Sequence, residues 1–278
     1  MDLYLQVSLA SSKLLTKAYS TSFSLGIRTL DEKVHEAIYA VYGFVRLADE
    51  IVDTFHDFDK KVLLDRFKAD TYLAIEEGIS LNPVLHSFQK VVREYSIEHE
   101  LIEAFLYSME MDLYDIEYDN ATYEKYIYGS AEVVGLMCLR VFCEGDLAMY
   151  DRLKDDARSL GAAFQKVNFL RDIKSDFTER GRVYFPGVDF TDFSKDAKEL
   201  IEEDIQADFD KALRGINGLP DGAKRGVHLA YTYYLKLFSR IKKTSANRIQ
   251  NERIRVPDSV KLALLAKTLV KTSFNVLF

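Results

Sequence analysis

Gln165 to Asp176 reads QKVNFLRDIKSD, and Asn168, Asp172 and Asp176 recur in it every fourth residue. On an α-helix a step of four turns the chain through about 400°, so the three oxygen-bearing side chains share one stripe. Two carboxylates and an amide one turn apart suit a hard divalent cation, which takes oxygen ligands. Val167, Phe169, Leu170 and Ile173 supply an apolar flank that buries the helix. Arg171 stands beside the first acid, and Arg180 and Arg182 follow the second. Metal plus guanidinium points to a phosphate-bearing ligand.

A lone motif of this kind is more often a solvated helix face. A second copy changes the balance. RLADEIVDTFHD, from Arg46 to Asp57, places Asp49 and Asp53 one turn apart with Arg46 beside them, again among apolar residues (Leu47, Ile51, Val52, Phe55). Acids on a solvated face have no need of apolar neighbours on both sides, so the two ledges read as two walls of one site.

The chain has 278 residues, 48% of them hydrophobic, enough for a sizeable core. Four prolines and thirteen glycines leave no linker-like stretch, so one domain over residues 1–278 is expected. A net charge of −7 excludes a general nucleic-acid binder, whose phosphate contacts need a basic field. Cys138 and Cys143 fit neither a zinc spacing nor a disulfide framework, so the expected compartment is the reducing cytoplasm. The start MDLYLQ has no signal-peptide pattern, and no window is expected to reach the ~18 apolar residues of a membrane span.

Taken in order, residues 3–18 carry a helical stripe of Leu3, Val7, Ala10, Leu14 and Ala18. STSFSLGIR (Ser20–Arg28) is rich in hydroxyls and reads as a turn; at the mouth of the acidic site, Ser20 and Ser22 could donate to phosphate while Phe23 faces something apolar. Thr29 to Glu32 matches a capping box opening a helix that runs to about Phe55. On it Tyr42, Arg46, Asp49 and Asp53 form one ladder. The acids and tyrosines of residues 100–118 read as a partly solvated face. Tyr123 to Cys143 is nearly uncharged and predicts a buried helix with Tyr128 as its polar handle. A long helix over 151–176 carries the opening motif. Residues 180–192 read as a lid that brings Arg182 and Tyr184 over the site. Further helices are expected to residue 249, and a last one over 259–278. With no strand alternation anywhere, the class is all-α.

DEIVD (Asp49 to Asp53) and NFLRDIKSD (Asn168 to Asp176), with STSF upstream and RGRVYFP downstream, resemble the squalene and phytoene synthases, which are head-to-head prenyl transferases. YIYGSAEVVG and NERIRVPDSVKL fall in the family's order, so the resemblance covers nearly the whole chain. It implies a single-domain isoprenoid-synthase helical bundle around a central apolar cavity. It implies Asp49 and Asp53 as Mg2+ ligands of one diphosphate site (Mn2+ being a substitute) and Asn168, Asp172 and Asp176 as those of the other. Arg46, Arg171 and Arg253 correspond to diphosphate-clamping arginines, and Ser20 and Ser22 to phosphate-contacting serines. Tyr42, Tyr128, Gln165 and Tyr184 fall among cavity residues; Tyr128 or diphosphate takes the last proton. Glu50 stands where relatives often have Asp and is either a third ligand or a bystander, and Arg255 competes with Arg253 for the clamp.

The partners implied are prenyl diphosphates, with no nucleic acid, and the protein is expected to be a monomer or weak dimer touching the inner membrane peripherally for product release. Two geranylgeranyl diphosphates would give phytoene through prephytoene diphosphate, a carotenoid precursor. The alternative is dehydrosqualene or squalene from two farnesyl diphosphates. No dinucleotide fingerprint or C-terminal anchor helix is visible, so no NADPH is expected. The rival class is a non-catalytic helical scaffold with solvated acids, which predicts no Mg2+-dependent diphosphate binding.

Overall fold

The computed structural model describes residues 2–114, 116, 118–180, 184–188, 193–251 and 253–254, leaving aside the side chains of residues 21, 22 and 177–180. The elements are α1 (Leu3–Tyr19), α2 (Thr21–Ile27), α3 (Glu32–Asp53), α4 (Lys60–Glu77), α5 (Pro83–Tyr95), α6 (His99–Met111), α7 (Asn120–Ile127), α8 (Val133–Cys143), α9 (Leu147–Arg180), α10 (Lys195–Gly218), α11 (Asp221–Lys242) and α12 (Ala246–Asn251). A π-helical turn, Tyr128–Glu132, joins α7 to α8. Among the described residues there is no strand, as the sequence led us to expect. The Arg180–Asp192 lid and the 259–278 helix lie largely outside the described residues.

Short polar side chains start these helices. Asp2, Ser20, Asp31, Asp59, Asn82, Asp119 and Ser194 each accept a hydrogen bond from a first-turn N–H, an interaction worth about 1 kcal/mol per cap. STSFSLGIR is therefore not a plain turn: Ser20 caps a two-turn helix, its Oγ accepting from the Phe23 N–H at 3.2 Å. The capping box is displaced as well. Asp31 caps α3, while the Thr29 hydroxyl donates to the Gly26 carbonyl at 2.7 Å and closes the preceding turn.

α1 inverts its expected orientation. The stripe Leu3, Val7, Ala10, Leu14 and Ala18 is exposed, and Ser8, Ser12 and Thr16 are buried instead. Close approach explains it: a Cβ on Gly43 of α3 would meet the Ser12 Cβ at 2.8 Å, so only small residues fit this seam. The hydroxyls are satisfied locally, Ser8 and Thr16 donating to Tyr4 and Ser12 carbonyls and Ser12 pairing with Ser87 at 2.8 Å.

Two apolar clusters form the core. One gathers around α3, α5, α6 and α8, where Phe44 stacks on Phe88 with centroids 3.9 Å apart. The other gathers around α9, α10 and α11. The 34-residue α9 extends about 51 Å and touches α7, α8, α10, α11, α12 and the π turn. Asn120–Cys143 is long and apolar enough to cross a membrane, contrary to expectation, but 56% of that apolar window is buried inside the bundle. A helix apolar all round is a core helix here. Its small residues serve different ends. Gly129 admits the backbone of α6, since a Cβ there would lie 2.4 Å from the Ala104 carbonyl oxygen, whereas Ser130, Ala131 and Gly135 line a cavity.

Candidate functional site

The first ledge is the inner end of α3. Tyr42 is largely buried, with Phe23 of α2 stacked on it at 4.2 Å. Burial pushes the Tyr42 phenol up to about 12, against a hydrogen bond from Ser20. One turn on, Arg46 lies 3.6 Å from Asp49 but binds Glu50 at 2.5 Å, with its guanidinium over the Tyr19 ring at 4.4 Å. Glu50 is thereby the arginine's partner rather than part of the Asp49–Asp53 stripe. Burial alone would raise its carboxyl, yet hydrogen bonds from Thr54, Arg46 and Tyr19 outweigh that and hold it below the ordinary range. Asp49 fares otherwise. Burial first, then the charges of Asp53, Asp112 and Glu50, push it to about 7 despite Arg46.

The second ledge is on α9. Arg171 donates through Nε to both Asp172 oxygens at 3.0 Å, and its Nη2 binds the same carboxylate. Arg253, arriving after α12, adds Nε to Asp172 Oδ1 at 2.7 Å. Burial disfavours the Arg171 charge, but Asp172 more than compensates and its pKa is raised further. Asp176 is buried. Asn168 accepts from the Tyr234 hydroxyl at 3.3 Å, and its amide points to Gln165 at 3.4 Å. Gln165 in turn donates to Ser130 of the π turn at 3.3 Å.

Two chains of contact join the ledges. Phe23 on the first side and Phe164 and Gln165 on the second line one apolar cavity of about 260 Å³. Phe164 stacks on Tyr234 at 3.8 Å, and the Tyr234 hydroxyl holds Asn168. The other chain runs through Tyr126, which stacks on Phe169 and Tyr184 and donates to both Asp112 oxygens at 2.9 and 3.0 Å. Asp112 in turn acts on Asp49. The cavity runs along α9 from Gln165 back to Leu153, about 18 Å of helix axis, an apolar tunnel whose wall includes Phe23, stacked on Tyr42, and Gln165, bound to Asn168.

The two tyrosines at the start of the π turn have different partners. The Tyr128 ring lies under the Arg158 guanidinium at 5.2 Å. Two residues apart on a helix, Tyr126 and Tyr128 lie about 200° from one another, so they face different neighbours. Tyr126 is the tyrosine turned toward the acids, with its phenol raised well above normal by burial and then by Asp112. Asp112, read from the sequence as a solvated acid, faces the site too. Tyr184 is buried and stacks on Phe169 at 4.0 Å. Arg182, Arg255 and the side chains of Ser22 and Arg180 lie outside the described residues.

The donor set fits a hard divalent cation in kind, being carboxylate and amide oxygen without thiolate or imidazole. Asp49, raised by burial first and then by the charges of Asp53, Asp112 and Glu50, is a carboxyl whose ionised form a cation would favour. Among the described residues no three acidic, His or Cys side chains close on one point. A cation would therefore need oxygens from the substrate to complete its shell.

Residues 16–259 match the family model for squalene/phytoene synthase. The chain is 33% identical over 171 residues to the presqualene diphosphate synthase of Rhodopseudomonas palustris, covering 61% of this chain and 59% of that protein. It thus spans about three fifths of the length of the presqualene diphosphate synthases it matches. The phytoene synthase of Arthrospira platensis is 25% identical over 279 residues, covering 90% of this chain and 89% of that protein. Among solved structures, a dehydrosqualene synthase in complex with ligand superposes with a TM-score of 0.81 at 20% identity, covering 97% of this chain and 98% of the other. The all-α isoprenoid-synthase fold follows from that likeness, and the chain belongs to the squalene/phytoene synthase family of prenyl-transferring enzymes.

Proposed function

We propose that this protein joins two identical prenyl diphosphates head to head, with phytoene from two geranylgeranyl diphosphates as the preferred product of a carotenoid pathway. The observation that carries the reading is the pair of arginine-flanked carboxylate ledges, each tied to the wall of one apolar cavity, through Phe23 on one side and Gln165 on the other. Loss of diphosphate leaves an allylic cation. Arg46, Arg171 and Arg253 bind the departing phosphate oxygens, and charge stabilisation of that kind is the largest single contribution in many enzymes. Mg2+, held by Asp49 and Asp53 on one side and by Asn168, Asp172 and Asp176 on the other, would supply Lewis-acid charge to the leaving group. Phe23 and Tyr42 offer aromatic faces to the cation, each worth about 0.5–2 kcal/mol. Apolar walls keep water from it. The second prenyl double bond attacks the cation, loss of a proton to the freed diphosphate closes a cyclopropylcarbinyl diphosphate, and a second ionisation, with departure of the other diphosphate, and rearrangement lead to the hydrocarbon. The freed diphosphate accepts the final proton, or the Tyr126 hydroxyl relays it by handing its own proton to the Asp112 carboxylate.

Farnesyl diphosphate is the second reading. It is favoured by the cavity volume of about 260 Å³, which lies below the ~300–1,000 Å³ usual for ligand pockets. The proposed setting is the cytoplasm beside the inner membrane, where the exposed Leu3, Val7 and Leu14 of α1 offer an apolar contact for an insoluble product. Incubation with C15 and C20 diphosphates and Mg2+, with and without NADPH, tests all of this. A linear C40 hydrocarbon formed without NADPH is expected, and no hydrocarbon from either substrate would sink the proposal.

A further inference from the structure

The tunnel carries one charge that the proposed chemistry does not use. Its lining among the described residues is apolar except for Ser130, Gln165 and Asp156. Ser130 and Gln165 bind each other beside Asn168. Asp156 lies sixteen residues before Asp172 on α9, about 24 Å along the axis, where the walls are Leu153, Gly215 and Leu219. Gly215 determines its seat. A Cβ on residue 215 would come within 2.4 Å of the Asp156 Cβ, so α10 rests directly on the base of this side chain. Outside, Arg214 reaches to within 3.8 Å of the carboxylate; the Arg214 side chain is 70% exposed and that of Asp156 22%. A carboxylate is thus fixed on the tail wall with its charge still tied to solvent.

A prenyl tail that reached this depth would press methyl groups against a charged oxygen and strip its water, without offering a hydrogen bond in return. Shorter tails end against leucine and glycine instead. We infer that the Asp156 carboxylate, seated on Gly215 and tethered by Arg214, is the tail stop that sets the longest prenyl chain the tunnel accepts. This rests on the prenyl-diphosphate reading.

The test compares the native protein with Asp156→Val and Asp156→Glu, using kcat/KM for C10, C15, C20 and C25 diphosphates and thermal shifts with the corresponding prenyl thiodiphosphates and Mg2+. Valine removes the charge and leaves an apolar floor. The ratio of the next-longer diphosphate to the natively preferred one should rise at least tenfold. Glutamate keeps the charge on a longer stem, so the preference should stay native or move to the next-shorter chain, and a move to longer chains would overturn the stop. A merely structural residue would lower all lengths together. Unchanged length ratios in both variants, in a native protein that binds the analogues, overturn the stop alone. A native protein stabilised by none of the analogues overturns the prenyl reading and the stop with it.

Discussion

On α3, Arg46 stands 3.6 Å from Asp49 and gives its close contact to Glu50 at 2.5 Å; on α9, Arg171 and Arg253 both close on the carboxylate of Asp172. The spacing of the acids is nearly the same, but their charges are compensated differently. On the first ledge Asp49 is pushed to about 7 by burial first and then by the neighbouring charges of Asp53, Asp112 and Glu50, against Arg46. The second is already covered by guanidinium. A divalent cation therefore gains most at α3, whereas at α9 an arriving diphosphate competes with Asp172 for two arginines.

The largest effect that can break this picture is loss of an acid. Asp53→Asn and Asp176→Asn should each lower turnover at least about a hundredfold, near 2.7 kcal/mol of barrier. Steady-state kinetics across Mg2+ concentrations should also show a greater rise in metal requirement for Asp53→Asn than for Asp176→Asn. Near-native turnover in both variants would remove the ledges from the reaction.

A smaller effect separates the two tyrosines of the Tyr126–Tyr128 turn. Tyr126→Phe removes the donor from Asp112 and should cost about ten- to thirtyfold in kcat, roughly 1.4–2 kcal/mol. Tyr128→Phe, beneath Arg158, should stay within about twofold of native, well under 1 kcal/mol. The reverse order would restore the reading from sequence. Smaller again is the arginine contrast. Arg253→Ala should raise KM about tenfold, or 1.4 kcal/mol, with kcat less affected. Glu50→Gln should release Arg46 toward Asp49 and raise the Mg2+ needed for half-maximal rate by about threefold, or some 0.65 kcal/mol.

The ledges were legible because helical period and apolar flanks are local properties, written in Asn168–Asp176 and Arg46–Asp53. What escaped depended on distant partners. The exposed stripe of α1 reads as a core face until Gly43 of α3 demands Ser12 opposite it. Tyr128 reads as the polar handle of a buried helix, while Tyr126, about 200° round that helix, reveals its bond to Asp112 only in the fold. Asp112 lacked a nearby basic residue in sequence, yet its donor is a tyrosine fourteen residues on. Asp156 gave no signal at all, since one acid on a long helix is ordinary until the opposite wall proves to be glycine and leucine.

The smallest expected effect concerns the metal-free protein, and its sign follows from Asp49. The carboxyl titrates near 3.8 when unfolded and near 7 when folded. Between those values the folded chain holds a proton that the unfolded chain has released, so stability falls as pH rises through this window and levels off above it. A third of the Asp49 side chain remains open to the cleft, so water moderates the loss. A drop of about 1–3 °C in melting temperature between pH 5 and 7.5 is the expected scale for a chain of this size. Thermal melts in chelator should show that slope, and Asp49→Asn should flatten it while melting higher than native at pH 7.5. If Asp172→Asn flattens the curve and Asp49→Asn leaves it intact, the two ledges have been assigned the wrong way round.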